Sequence, residues 1–121
     1  MTEQSKILVV DDEKIARESL ELTLTREGYT VVTAGSGAEA IEKLTAAHYD
    51  LVITDLIMGD IDGYSVMKEI KSNAPNTKII MITGYATVDS AVEALRMGAF
   101  HYIEKPLKLD ELRAVVRDAL K

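Results

Sequence analysis

Short unbroken apolar runs alternate along this chain with longer stretches in which apolar residues recur every three or four positions. The runs at 7–10, 30–34, 51–54, 79–82 and 102–103 predict strands, and most lack the polar alternation of a half-exposed sheet, so they predict strands covered on both faces. The stretches between them predict helices. The first, about 13–27, has Asp12 placed as an N-cap and Gly28 just past its end, where a left-handed residue costs least. The second opens with Ser36 and Glu39 at capping-box spacing and offers Ile41 and Leu44 as its buried face. The third, near 64–73, turns Val66, Met67 and Ile70 inward and stops before Pro75. The fourth follows Thr87 with Val88, Ala91, Val92 and Leu95 in helical rhythm and ends near Gly98. The fifth follows Leu109 with Leu112, Val115, Val116 and Ala119 in the same rhythm.

Five strand–helix repeats with right-handed crossovers form an open parallel sheet with helices on both faces. The expected fold is therefore α/β: a single (βα)5 flavodoxin-like doubly wound domain over residues 1–121, with strand order 2-1-3-4-5. That order sets the first strand beside the third. It brings Asp11, Asp12, Asp55, Thr83 and Lys105, each just beyond or at the end of an apolar run, to the sheet edge where such folds place ligands.

Composition narrows the function. A chain of 121 residues suits one domain, its 47% apolar content argues against disorder, and no apolar stretch reaches bilayer-spanning length. Residues 1–6 are polar and precede only four apolar residues, which is not the pattern of a secretory signal. With no cysteine there is no disulfide, thiol catalysis or thiolate metal site, and a cytoplasmic location is expected. The net charge of -6, with Lys and Arg scattered singly, argues against direct nucleic-acid binding by this domain.

Carboxylates crowded at strand ends repel one another by roughly 4 kcal/mol per pair at ~4 Å and an effective dielectric near 20. Such a cluster protonates or binds a cation. Oxygen ligands alone select a hard ion, Mg²⁺ or Mn²⁺, and an ion of that kind bridges protein oxygens to phosphoryl oxygens. Asp55 is the candidate nucleophile, since a carboxylate can attack phosphorus and form an acyl phosphate. Lys105 offers a point charge to one phosphoryl oxygen and the Thr83 hydroxyl a donor to another.

At these positions the chain resembles the receiver domain of two-component response regulators. The matching segments are Leu8-Val9-Val10-Asp11-Asp12-Glu13, Asp50-Leu51-Val52-Ile53-Thr54-Asp55, Asp62-Gly63, Ile80-Met81-Ile82-Thr83-Gly84 and Tyr102-Ile103-Glu104-Lys105-Pro106, in that order. The segments from Gly84-Tyr85-Ala86-Thr87 to Gly98-Ala99-Phe100 resemble receivers attached to enhancer-binding transcription activators. The resemblance implies a phosphorylation-activated switch rather than an enzyme in the usual sense. In it a sensor histidine kinase or phosphotransfer protein donates a phosphoryl group to Asp55. It also implies Asp12, Asp55 and the backbone carbonyl of Ile57 as metal ligands, with Asp11 acting through water, and Thr83 and Lys105 on the phosphoryl group. A Thr83–Tyr102 switch would then act on a face made by the fourth helix, fifth strand and fifth helix. That face would control an output domain or downstream protein, or a phosphorylation-dependent homodimer. A cis Lys105–Pro106 bond is implied as well.

Some residues depart from the pattern. Gly59 stands where the family commonly has proline, which predicts a less restrained loop after Asp55. Ile57 and Tyr85 flank the expected phosphoryl position without a carboxylate or amide to orient water, which predicts slow autodephosphorylation. Three rivals stand beside this reading: a flavin-binding flavodoxin, a haloacid-dehalogenase-like phosphatase, and a receiver-like interaction module that works without phosphorylation. The flavodoxin lacks its hydroxyl- and glycine-rich phosphate loop after the first strand, where Asp11 and Asp12 would repel the ligand.

Overall fold

The computed structural model describes residues 4–121, so the first three residues of the expected domain, and of the polar leader at 1–6, lie outside it. Its elements run β1 (Lys6–Val10), α1 (Lys14–Arg26), β2 (Thr30–Ala34), α2 (Gly37–Ala46), β3 (Leu51–Asp55), α3 (Gly63–Asn73), β4 (Lys78–Thr83), α4 (Val88–Arg96), β5 (His101–Glu104) and α5 (Leu109–Ala119). All strand pairs are parallel, in the order β2-β1-β3-β4-β5, as the alternation predicts.

Strand period two divides the core into two layers. Leu8, Val10, Val52, Ile79 and Met81 point to one side and pack with Ala40, Val66, Met67, Ile70 and Ala94 of α2, α3 and α4. Ile7, Val9, Ile53, Ile80, Ile82 and Ile103 point to the other, against Leu20, Leu24, Leu112, Val116 and Ala119 of α1 and α5. Both faces of β1, β3 and β4 are thus covered, which is why their sequences are apolar without alternation.

Register fixes the site. Val10 pairs with Thr54, Asp55 with Ile82 and Thr83 with Glu104, so the strands end nearly level. Parity then separates the site residues. Asp55 continues the side of Ile53 toward α1 and α5, whereas Thr83 and Tyr102 lie on the side of Met81 toward α4.

Three local expectations change. Asp12 does not cap α1; the N-cap position is Glu13, whose side chain makes no cap bond, and the Glu13 amide donates to Asp11 Oδ1 at 2.9 Å. Only half of the Ser36–Glu39 box forms. Ser36 accepts the Glu39 amide at 3.1 Å, but the Glu39 carboxylate reaches past the cap to the Gly35 amide at 2.6 Å. In α2 Leu44 packs partly buried against the core as expected, but Ile41 is only half-buried and the most buried positions are Gly37 and Ala40, because α2 lies close enough to the sheet and loop to favour small residues. In α4, Val88, Val92 and Leu95 are exposed and Ala94 is the buried residue. The helix rests on the sheet through a small side chain and turns its apolar stripe outward. The stop signals hold: Gly28 and Gly98 have φ of 96° and 104°, a conformation that glycine adopts without a Cβ penalty.

Candidate functional site

β1 delivers Asp11 and Asp12, β3 delivers Asp55, β4 delivers Thr83, and the turn after β5 delivers Lys105. One ligand oxygen from each of Asp11, Asp12 and Asp55 lies within 4.8 Å of the others. Asp11 and Asp55 are buried, and Asp12 is exposed. Around an octahedral ion with ~2.1 Å bonds, neighbouring oxygens are ~3 Å apart and opposite ones ~4.2 Å, so the three carboxylates must draw together to share such an ion. The donor set is all oxygen. These three carboxylates can therefore hold a hard divalent cation.

Lys105 threads between them. Its Nζ lies 2.7 Å from Asp55 Oδ2 and 3.0 Å from Asp11 Oδ2, with exposed Glu13 at 4.0 Å. Burial of the ammonium pushes its pKa down, but the bonds to Asp55 and Asp11 outweigh that, and the net shift is upward. The amine stays charged at neutral pH and neutralises part of the carboxylate repulsion. The Lys105–Pro106 bond is cis, as the resemblance implies.

Thr83 is fully buried, and its hydroxyl oxygen accepts the Tyr85 amide at 3.1 Å, which keeps the hydroxyl hydrogen as a donor. The Ile57 amide donates to Asp55 Oδ1 at 3.2 Å. Asp12, Glu13, Asp55, Ile57, Gly84, Tyr85 and Lys105 line one cleft of about 470 Å³ above these groups. Gly63 packs beneath it: a Cβ there would stand 2.5 Å from the Asp55 carbonyl oxygen, so only glycine lets α3 start this close. Every predicted site residue except Tyr102 thus has a side chain or backbone at this one edge. Tyr102 lies half-buried behind it, its hydroxyl 2.6 Å from Ser90 Oγ.

The sequence reading passed over two supporting residues. Arg17 donates from Nη1 to the Asp11 carbonyl at 2.8 Å, holding the turn after β1. Ser90 joins the α4 capping box with Thr87 to the Tyr102 and Tyr64 hydroxyls, the latter donating to the Ser90 carbonyl at 3.1 Å. The Thr87-x-x-Ser90 spacing signalled the cap, but nothing local signalled the tyrosines.

The family model for the response regulator receiver domain matches residues 7–117. The regulatory protein AtoC of Escherichia coli is 40% identical over all of this chain, which spans 26% of that protein. Among solved structures, the response regulator TrrA of Thermotoga maritima in complex with Mg²⁺-BeF is 39% identical, with a TM-score of 0.87 over 97% of this chain and 100% of that one. The beryllofluoride-activated NtrC4 receiver domain dimer is 36% identical, with a TM-score of 0.90 over 95% of each chain. These likenesses cover the strands and strand ends that build the acidic cleft, and they set the flavin and phosphatase readings aside. The chain belongs to the receiver domains of two-component response regulators, regulatory switches activated by phosphorylation of an aspartate.

Proposed function

We propose that residues 1–121 form one receiver domain in which Asp55 accepts a phosphoryl group from the phosphohistidine of a sensor kinase or phosphotransfer protein. The observation that carries this is the junction at one strand-end cleft of a buried aspartate, two further carboxylates and a charged lysine 2.7 Å from the aspartate. An Asp55 carboxylate oxygen forms the O–P bond as the P–N bond of the donor breaks, and the departing imidazole takes a proton. Asp11, Asp12, Asp55 and the Ile57 carbonyl would hold Mg²⁺, which supplies charge neutralisation and a bridge to phosphoryl oxygens; Mn²⁺ would serve the same donors. Lys105 then turns from its carboxylate partners to a phosphoryl oxygen, and the Thr83 hydroxyl donates to another. The domain's only chemistry is the gain and loss of its own phosphoryl group.

Movement of Thr83 toward that group would let Tyr102 leave Ser90 and shift the α4–β5–α5 face, a population shift limited by how differently the two packings hold the phosphoryl group. The output surface is the exposed apolar patch Tyr85, Val88, Val92, Leu95 and Phe100. Its partner is an output domain, a downstream protein or a second receiver. Among the described residues no helix is long and apolar enough to cross a membrane, and the protein would act in the cytoplasm without touching nucleic acid through this domain.

Intact mass with acetyl phosphate and Mg²⁺ tests the proposal. The native chain gains one phosphoryl group and Asp55→Asn gains none. A native chain that no phosphoryl donor or beryllofluoride labels is an interaction module that works without phosphorylation.

A further inference from the structure

The loop between β3 and α3 carries Ile57, and its own hydrogen bonds hold its two ends: the Ile57 amide donates to Asp55 Oδ1 at 3.2 Å and the Gly63 amide to the Leu56 carbonyl at 2.8 Å. At Gly59 an added Cβ would meet nothing within 4 Å, and glycine has the widest backbone freedom of any residue. Between the loop's ends Met58 is buried in the core, and a further restraint comes from outside the loop. The Asp60 carboxylate reaches the start of α2, where Oδ1 accepts the Gly37 amide at 3.1 Å and Oδ2 accepts the Ala38 amide at 2.9 Å. These are amides without an intrahelical partner, at the helix end that favours negative charge. Ser36 caps the same helix locally through the Glu39 amide at 3.1 Å. The N-terminus of α2 thus has two caps, one from its own chain segment and one from a residue 22 to 23 positions away.

A second contact joins the same two segments. A Cβ on Gly37 would lie 2.7 Å from Ile61 Cβ and 2.8 Å from the Ile61 carbonyl oxygen, so helix and loop backbones meet only because residue 37 has no side chain. The amide of Ala38, then those of Ile61 and Gly37, hold the Asp60 carboxyl below its ordinary range despite some desolvation. The cap therefore persists as a charged group at neutral pH.

We infer that Asp60 is a positioning residue for the phosphorylation site: its remote cap on α2 anchors the β3–α3 loop and so sets where the Ile57 carbonyl stands. The inference rests on the proposed role of that carbonyl as a metal ligand. Asp60 itself touches neither metal nor phosphoryl group. Where the family commonly fixes this loop with proline, this chain fixes it with a carboxylate borrowed by a neighbouring helix.

Three variants of the 121-residue chain test it by calorimetric Mg²⁺ titration and by amide exchange without metal. Asp60→Ala is expected to speed exchange at Gly37 and Ala38 and to weaken Mg²⁺ binding on the order of tenfold, the low end for groups that support a metal site. Asp60→Asn keeps one of the two acceptor oxygens, so it should retain part of the cap and bind Mg²⁺ more tightly than Asp60→Ala. Ser36→Ala should speed exchange at Glu39 and leave Mg²⁺ affinity within about twofold, because its cap does not touch the loop. Mg²⁺ affinity unchanged in Asp60→Ala, equally weakened in Ser36→Ala, or equally weakened in Asp60→Asn overturns the inference; the last result reduces Asp60 to a distant charge. Unchanged exchange at Gly37 and Ala38 in Asp60→Ala removes the tether alone, whereas a native chain that takes up no Mg²⁺ removes the metal reading on which the inference stands.

Discussion

Replacing Lys105 with methionine keeps the length and apolar stem of the side chain and deletes its charge. The ammonium lies 2.7 Å from Asp55 and 3.0 Å from Asp11. At an effective dielectric of ~20, each contact represents ~6 kcal/mol of Coulomb attraction. The side chain is 19% exposed, so water screens part of this, and desolvation of the ammonium cancels several kcal/mol more. A net loss of about 3 kcal/mol remains, the lower end for unpairing buried charges. In a domain of 121 residues that lowers Tm by about 10 °C in Mg²⁺-free buffer. Mg²⁺ binding moves the other way. Without an ammonium competing for Asp55 and Asp11, the cation should bind about tenfold more tightly, ~1.4 kcal/mol. Thermal melts in chelator and in Mg²⁺, with a calorimetric titration, read both effects: the metal-free melting point falls and the Mg²⁺-induced rise grows. A Lys105→Met chain that is as stable as the native one without metal, or that binds Mg²⁺ more weakly, refutes the placement of this charge among the carboxylates.

Ile57 and Tyr85 line the cleft beside Asp55, and replacing them with Asn and Glu should orient water and shorten the acyl-phosphate lifetime; an unchanged or slower loss of label contradicts the shielding argument. On α4, Leu95→Ala should change stability by less than about 0.5 kcal/mol, whereas Ala94→Leu should cost about 1–3 kcal/mol by overpacking. Denaturant midpoints that rank the two the other way would put the apolar stripe, and not Ala94, against the sheet. Burial raises the pKa of the Tyr49 phenol above its ordinary value of 10.0. The folded chain then keeps a proton that the unfolded chain loses, so this contribution is complete below about pH 10 and declines as pH rises toward the folded value. Urea midpoints across that range should fall less steeply in Tyr49→Phe than in the native chain.

The sheet and the acidic cleft were legible in the sequence because they depend on short-range signals. Val9-Val10-Asp11-Asp12 and Ile53-Thr54-Asp55 each mark where an apolar strand stops and a charge begins, and parallel pairing brings those ends together. Which way α4 turns its stripe was not legible, for an equally physical reason. Val88, Ala91, Val92 and Leu95 form a regular apolar stripe, and periodicity reports that a stripe exists without reporting what covers it. Asp12 stood at cap spacing for α1, but Glu13 holds the N-cap position without a side-chain cap bond, and Asp11 accepts the Glu13 amide in the turn before the helix. A one-residue difference in where the chain turns decides between them.

The sequence by itself determined the order of elements, both left-handed glycine stops, the strand ends that carry Asp11, Asp12, Asp55, Thr83 and Lys105, and the family these residues announce. Propensity, periodicity and capping act within a few residues, so one dimension suffices to read them. Only the tertiary structure decided that Lys105 sits between Asp11 and Asp55, that Ser90 meets Tyr102, and that Asp60 caps a helix that begins 23 residues before it. Those contacts join segments far apart in the chain, and their geometry follows from sheet order, register and the close approach allowed by Gly37 and Gly63, which no local pattern encodes.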